Sequence, residues 1–175
     1  IPVLYTPARN ADSVADLAVL MMLSLARKLT QVDRFIHSDK FEIIEMEDYL
    51  KVCNDYIGME LRDKTVGIIG FGNIGQRVGD RVKSFGAKIL VHDPFVSNNV
   101  VDKYGMKAGL EELMEKSDFI TIHAAPVPAT DGMVSKEMIS KMKPTACLIN
   151  TAKSNIVDSM ALYNAKKKKK IGGAG

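Results

Sequence analysis

Between Lys64 and Pro94 the hydrophobic pattern changes period twice. Thr65–Ile69 is a short, continuous, largely β-branched run, which suits a strand buried on both faces of a parallel sheet. From Asn73 the apolar positions recur at helical spacing, with Ile74, Val78 and Val82 on one face. Gly86 stops that helix. Lys88–His92 then reads as a second strand, with Asp93 and Pro94 at its end.

The same alternation continues downstream. Leu110–Lys116 reads as a short helix and Asp118–His123 as a strand that runs out into the loop His123-Ala124-Ala125-Pro126, with Thr130 just beyond. Ser135 is placed to cap a helix reaching Met142, and Ala146–Asn150 is another buried strand, ending in Thr151-Ala152-Lys153-Ser154. Asp158 is placed to cap a last helix, and Ile171–Gly175 begins a further strand. Strands alternating with helices predict an α/β domain, a Rossmann-type doubly wound parallel sheet with helices on both faces.

Gly70, Gly72 and Gly75 stand in G-x-G-x-x-G spacing between the first strand and its helix. The first permits a tight turn, the second a close backbone approach to a pyrophosphate, and the third close packing of helix on strand. The free N–H groups at the helix start, near Asn73 and Ile74, would face the phosphates. Asp93 lies 18 residues after Gly75, near the spacing of an acid that bonds a ribose 2′-hydroxyl. A carboxylate there repels a 2′-phosphate, which predicts NAD over NADP. The glycines alone are weak evidence; strand, helix and acid in the right order make the dinucleotide reading strong.

At the front of the chain, Ile1–Tyr5 reads as a short strand, and a chain that opens inside a strand without a Met suggests a missing N-terminal portion. Ser13-Val14-Ala15-Asp16 resembles a capping box, opening a helix to about Leu29 that is apolar nearly all round. Asp16 and Arg27 bracket it too closely for a membrane span. Such a helix is covered on every side, by its own core, another domain or a partner subunit. A homodimer through Val14–Leu29 is one expectation. Thr30–Arg62 is uninformative beyond a short amphipathic helix within Phe41–Val52; His37 reads there as a solvated surface residue.

Composition changes little. Of 175 residues, 46% are hydrophobic and 26% charged, ordinary for a globular chain large enough for a real core. The net charge of +3 comes from the run Lys166–Lys170; the remaining 19 basic residues fall short of the 21 acidic ones. That argues against nucleic acid as a partner and for a solvated helix end. Cys53 and Cys147 form no paired motif and fit a reducing, cytoplasmic setting. No metal-ligand set is read.

Four stretches, residues 7–27, 65–94, 110–144 and 147–165, together resemble the coenzyme-binding domain of the D-isomer-specific 2-hydroxyacid dehydrogenases. That family includes phosphoglycerate, D-lactate, glycerate, hydroxypyruvate and formate dehydrogenases. The resemblance leaves out only about Thr30–Gly58. It implies that Asn73 and Ile74 contact the NAD pyrophosphate, that Asp93, beside Pro94, holds the adenosine ribose, and that His123, Ala124 and the nearby Thr130 line the adenosine side. Thr151 and Ala152 would pass beneath the nicotinamide. The next family residue is an arginine that grips the carboxylate of a 2-hydroxy or 2-keto acid; here it is Lys153.

The chain departs from the family in three places. Lysine keeps the charge but not the planar fork that binds carboxylates bidentately. Ser154 replaces a common glycine, and Pro126 falls three residues after His123 instead of two. The family's acid/base histidine and its carboxylate partner are expected beyond Gly175, and neither His37, His92 nor His123 takes that place. The expectation is therefore residues 1–175 as the NAD domain of a two-domain enzyme, not competent alone. A non-catalytic NAD(H)-sensing or interaction module of the same family is the alternative. An adenosylhomocysteine hydrolase-like enzyme would account for the glycines but not for residues 150–158.

Overall fold

The computed structural model describes residues 8–38 and 45–175. The strand expected at Ile1–Tyr5 and the first part of Phe41–Val52 lie outside them. Six strands form one parallel sheet: β1 (Thr65–Ile69), β2 (Lys88–His92), β3 (Met106–Lys107), β4 (Phe119–Ile122), β5 (Cys147–Asn150) and β6 (Gly173–Ala174). Their order across the sheet is β3-β2-β1-β4-β5-β6. This is the doubly wound order, in which the chain reverses direction between β1 and β4. The helices are α1 (Ala11–Ala26), α2 (Leu29–Ile36), α3 (Met46–Asp55), α4 (Asn73–Ser84), α5 (Asn98–Val101), α6 (Leu110–Lys116), α7 (Lys136–Ser140) and α8 (Ser159–Lys167).

Period-two alternation divides the central strands between two cores. Val66, Ile68, Ile89, Val91, Phe119, Cys147 and Ile149 face one layer, with Ala18 and Met22 of α1, Val78 and Val82 of α4, and Val101 of α5. Ile69, Leu90, Ile120, Ile122 and Leu148 face the other, with Leu113 and Met114 of α6, Ile139 of α7 and Ala165 of α8. Helices therefore cover both faces, as a sheet of apolar parallel strands requires. At the opposite edge from the loops discussed below, Asp118 ties β4 to β1. Its carboxylate accepts the Thr65 N–H and the Lys143 ammonium, both at 2.8 Å. Desolvation pushes its pKa up, but these two partners outweigh it and hold the carboxyl below its usual value.

Two expectations for the N-terminal helix are corrected. It begins at Ala11 after Asn10, and the Ser13 hydroxyl donates back to the Asn10 carbonyl at 2.9 Å instead of capping. Asp16 pairs outward with Arg81 at 2.7 Å, and Asp12 with Arg77 at 3.0 Å, which fixes α1 against α4. The helix also stops at Ala26, not Leu29, because Lys28 adopts a left-handed conformation (φ 54°) before α2. Within this chain Ala15, Ala18 and Met22 of α1 are fully buried, whereas Leu17 and Leu20 are exposed.

Other elements follow the pattern in the chain. Ser135 Oγ accepts the Met138 N–H, and Asp158 Oδ1 accepts the Ala161 N–H, so both are the caps expected for α7 and α8. Lys166–Lys170 is exposed at the end of α8, where Lys166 donates to the Gly172 carbonyl. Among the described residues no helix is long and apolar enough to cross a membrane.

Candidate functional site

The carboxyl ends of β1, β2, β4 and β5 bring the sequence-predicted residues to one edge of the sheet. After β1 the chain turns through Gly70 (φ 87°), and a Cβ there would lie 2.5 Å from the Ala124 backbone nitrogen. Glycine is needed at this point for its positive φ and because the loops after β1 and β4 cross in contact. A Cβ on Gly75 would collide with the Gly70 carbonyl oxygen, so the third glycine seats α4 on the turn. Gly72 differs. Its backbone is extended (φ −78°, ψ −153°), it is exposed, and a Cβ there would meet nothing within 4 Å. The space it leaves lies outside the turn, open to a ligand.

Gly72 is the N-cap of α4 without a side-chain cap, and the N–H groups of Asn73 and Ile74 have no acceptor among the described residues. Unpaired amides at the positive end of a helix dipole favour an anion. Open space at Gly72 and free amides beside it fit a dinucleotide pyrophosphate.

Asp93 sits at the end of β2 as a structural hub. Oδ2 accepts the Phe71 N–H at 2.8 Å, and Oδ1 accepts the N–H groups of Phe95 (2.9 Å) and Val96 (3.3 Å). The carboxylate is thus held beside the glycine turn by three backbone donors. Pro94 next to it is exposed, and the Phe95 ring is 94% exposed at the same edge. Phe95 carries no sequence signal beyond its place after Asp93-Pro94, and sequence reasoning passes over it.

His123 follows β4 beside this turn; its N–H donates to the Ile69 carbonyl at 2.7 Å. Its ring lies between two hydroxyls, with Nε2 2.9 Å from Thr121 Oγ1 and Nδ1 3.3 Å from Thr151 Oγ1. Burial pushes its pKa down to about 4, so the imidazole is neutral at pH 7. The register explains the contact. Ile122 pairs with Asn150, so the next residues on the two strands, His123 and Thr151, leave the sheet side by side. Thr130 Oγ1 is used within its own loop: it accepts the Val127 N–H at 3.1 Å, and its one proton is shared between the carbonyls of Ala125 (2.7 Å) and Val127 (2.9 Å).

The segment after β5 is shaped by Asn150, which sequence reasoning treats only as a strand end. Its Oδ1 accepts the Ala152 N–H at 3.0 Å, and its Nδ2 donates to the Lys153 carbonyl at 3.3 Å. Ala152 and Lys153 are wrapped around this one amide. The Lys153 side chain is exposed, and no carboxylate among the described residues pairs with its ammonium. The other histidines lie elsewhere. His37 is exposed beside Asp33 at the end of α2, and His92 is bound to the Ala108 carbonyl at 3.2 Å.

The carboxyl edge of the sheet therefore combines a helix N-terminus, a fixed carboxylate, a neutral imidazole and an exposed ammonium without a carboxylate partner among the described residues. This suits a ligand with phosphates, a ribose and a further anionic group. The family model of the D-isomer specific 2-hydroxyacid dehydrogenase NAD-binding domain matches residues 19–175. The chain is 36% identical to a D-3-phosphoglycerate dehydrogenase of Archaeoglobus fulgidus, over 99% of the chain and 31% of that protein. A D-lactate dehydrogenase of Aquifex aeolicus, solved with NAD and lactic acid, superposes with a TM-score of 0.84 at 32% identity, over 97% of this chain and 48% of that one. An acyclic imino acid reductase solved with NADPH and D-Arg gives 0.82 at 31%, over 95% and 50%. The chain thus spans about a third to a half of the proteins it matches. It belongs to the D-isomer specific 2-hydroxyacid dehydrogenases, and it is their NAD-binding domain.

Proposed function

We propose that these residues are the cofactor half of a two-domain, NAD-dependent D-2-hydroxyacid dehydrogenase acting on a small acid such as phosphoglycerate, glycerate or lactate. What supports this most is the convergence of the Gly70–Gly75 turn, Asp93, His123 and Thr151–Lys153 on one sheet edge. Asn73 and Ile74 bind the pyrophosphate through their amides, with Gly72 leaving room for it. Asp93, beside Pro94, takes the adenosine ribose and disfavours a 2′-phosphate, so NAD is preferred over NADP. His123, Ala124 and Thr130 form the loop on the adenosine side, and Thr151 and Ala152 lie under the nicotinamide.

The bound nicotinamide supplies hydride chemistry, and the protein supplies orientation and charge. Lys153 binds the substrate carboxylate and stabilises negative charge developing on its oxygen. The proton is handled by a histidine–carboxylate pair from outside these residues. His37, His92 and His123 do not serve. We further propose a cytoplasmic homodimer whose contact includes α1. The support is Leu17 and Leu20, which are 44% and 57% exposed on that helix.

One observation favours a second reading, an NAD(H)-sensing module without turnover: the family arginine is Lys153 here. Assay of the full-length protein with NADH and a panel of 2-keto acids separates the two. Turnover supports the dehydrogenase; NADH-dependent association with no turnover supports the sensor.

A further inference from the structure

Thr121 is fully buried within β4, and among the described residues its hydroxyl has one partner, Nε2 of His123 at 2.9 Å. A buried O–H left without an acceptor is costly, whereas an unused lone pair is tolerated. The hydroxyl therefore donates, and Nε2 accepts. A neutral imidazole carries one N–H, so the proton then sits on Nδ1. Nδ1 faces Thr151 Oγ1 at 3.3 Å, and among the described residues Thr151 has no other side-chain partner. As acceptor from the ring, the Thr151 hydroxyl keeps its own proton free.

We propose that Thr121 is a positioning residue that, through the His123 ring, presents Thr151 O–H as a hydrogen-bond donor to an acceptor atom on the nicotinamide side of the bound dinucleotide. The inference rests on the assignment of Thr151 to the nicotinamide side made above. The chain of donors runs one way, from the buried strand through the loop after β4 to the loop after β5. A structural role for Thr121 alone would fix the same ring tautomer but would not single out the nicotinamide; the relay needs both Nδ1–H and a loss confined to ligands that carry the nicotinamide.

Side-chain ¹⁵N spectra of the histidines in the unliganded protein read the tautomer directly, and only three rings must be assigned. His123 is expected as Nδ1–H in the wild type and in Thr121→Ser, and as a mixture in the near-isosteric Thr121→Val. Calorimetry then compares NADH with ADP-ribose, which lacks the nicotinamide. Thr121→Val and Thr151→Val should each weaken NADH about tenfold, the double variant hardly more, and ADP-ribose should be unchanged. An Nε2–H tautomer in the wild type, additive losses, or equal losses for ADP-ribose would overturn the relay. Failure of the wild type to bind NADH at all would instead overturn the dinucleotide reading, while the tautomer spectrum would still report on the ring.

Discussion

The Asp93 carboxylate accepts the Phe71 N–H at 2.8 Å, so the acid after β2 and the glycine turn after β1 are one hydrogen-bonded unit. The oxygens expected to read the cofactor ribose also hold the loop that reads its phosphates. Replacing Asp93 should therefore act on fold and specificity together, and two variants separate these effects. Asp93→Ala removes the acceptor for three backbone donors and should lower stability by about 1–3 kcal/mol, visible as a drop in Tm. Asp93→Asn keeps an acceptor oxygen and loses the charge. Its NH2 then faces a backbone N–H that the second carboxylate oxygen served, so its Tm should fall, but by less than that of Asp93→Ala, while the preference for NADH over NADPH narrows in paired titrations.

Gly70 and Gly72 make opposite predictions although they are two residues apart. Gly70→Ala forces a side chain into a positive φ and against Ala124. It should destabilise the protein by about 1–3 kcal/mol in denaturant melts. Gly72→Ala has ordinary extended backbone and open space, so its melt should match the wild type. Its NADH affinity should fall all the same, because the added methyl occupies the cofactor's path.

His123 makes stability depend on pH. Its folded-state pKa of about 4 lies below the ordinary value of 6.5, so the unfolded chain binds more protons between those values. Its contribution is complete above pH 6.5 and is lost as pH falls towards 4, at up to about 1.4 kcal/mol per pH unit. Denaturant melts from pH 7 to 4 should show this slope, and His123→Gln should flatten it.

Lys153 tests the substrate reading. In the full-length enzyme, Lys153→Arg restores a bidentate fork and should lower KM for the keto acid several-fold. Lys153→Ala should abolish turnover and leave NADH binding intact. If both variants match the wild type, the side chain has no part in the reaction.

What the chain shows in advance is set by how local the determinant is. Thr65–Ile69 and Lys88–His92 are strands to the residue, because a run of β-branched residues between glycine and charged boundaries has little other option. Ser135 and Asp158 were legible as caps because capping is a contact over three residues. The start of α1 was misplaced because Ser13 and Asp16 look like a box locally. Asp16 is instead claimed by Arg81, 65 residues away. The two-residue β3 has both residues exposed and no apolar pattern; only pairing with Leu90 and Val91 makes it a strand. In the site, the glycines and Asp93 follow a spacing rule; Asn150 and Thr121 act over two or three residues, on Ala152, Lys153 and His123, but in a strand-end geometry that no motif announces, and only the His123–Thr151 contact is long-range.

Parallel calorimetric titration of the protein with NADH and NADPH tests the central claim most directly. Clear NADH binding, much weaker NADPH binding and a narrowed preference in Asp93→Asn are expected. Equal affinity for the two nucleotides, unchanged by that substitution, would contradict the role given to Asp93. Binding of neither would contradict the dinucleotide site itself.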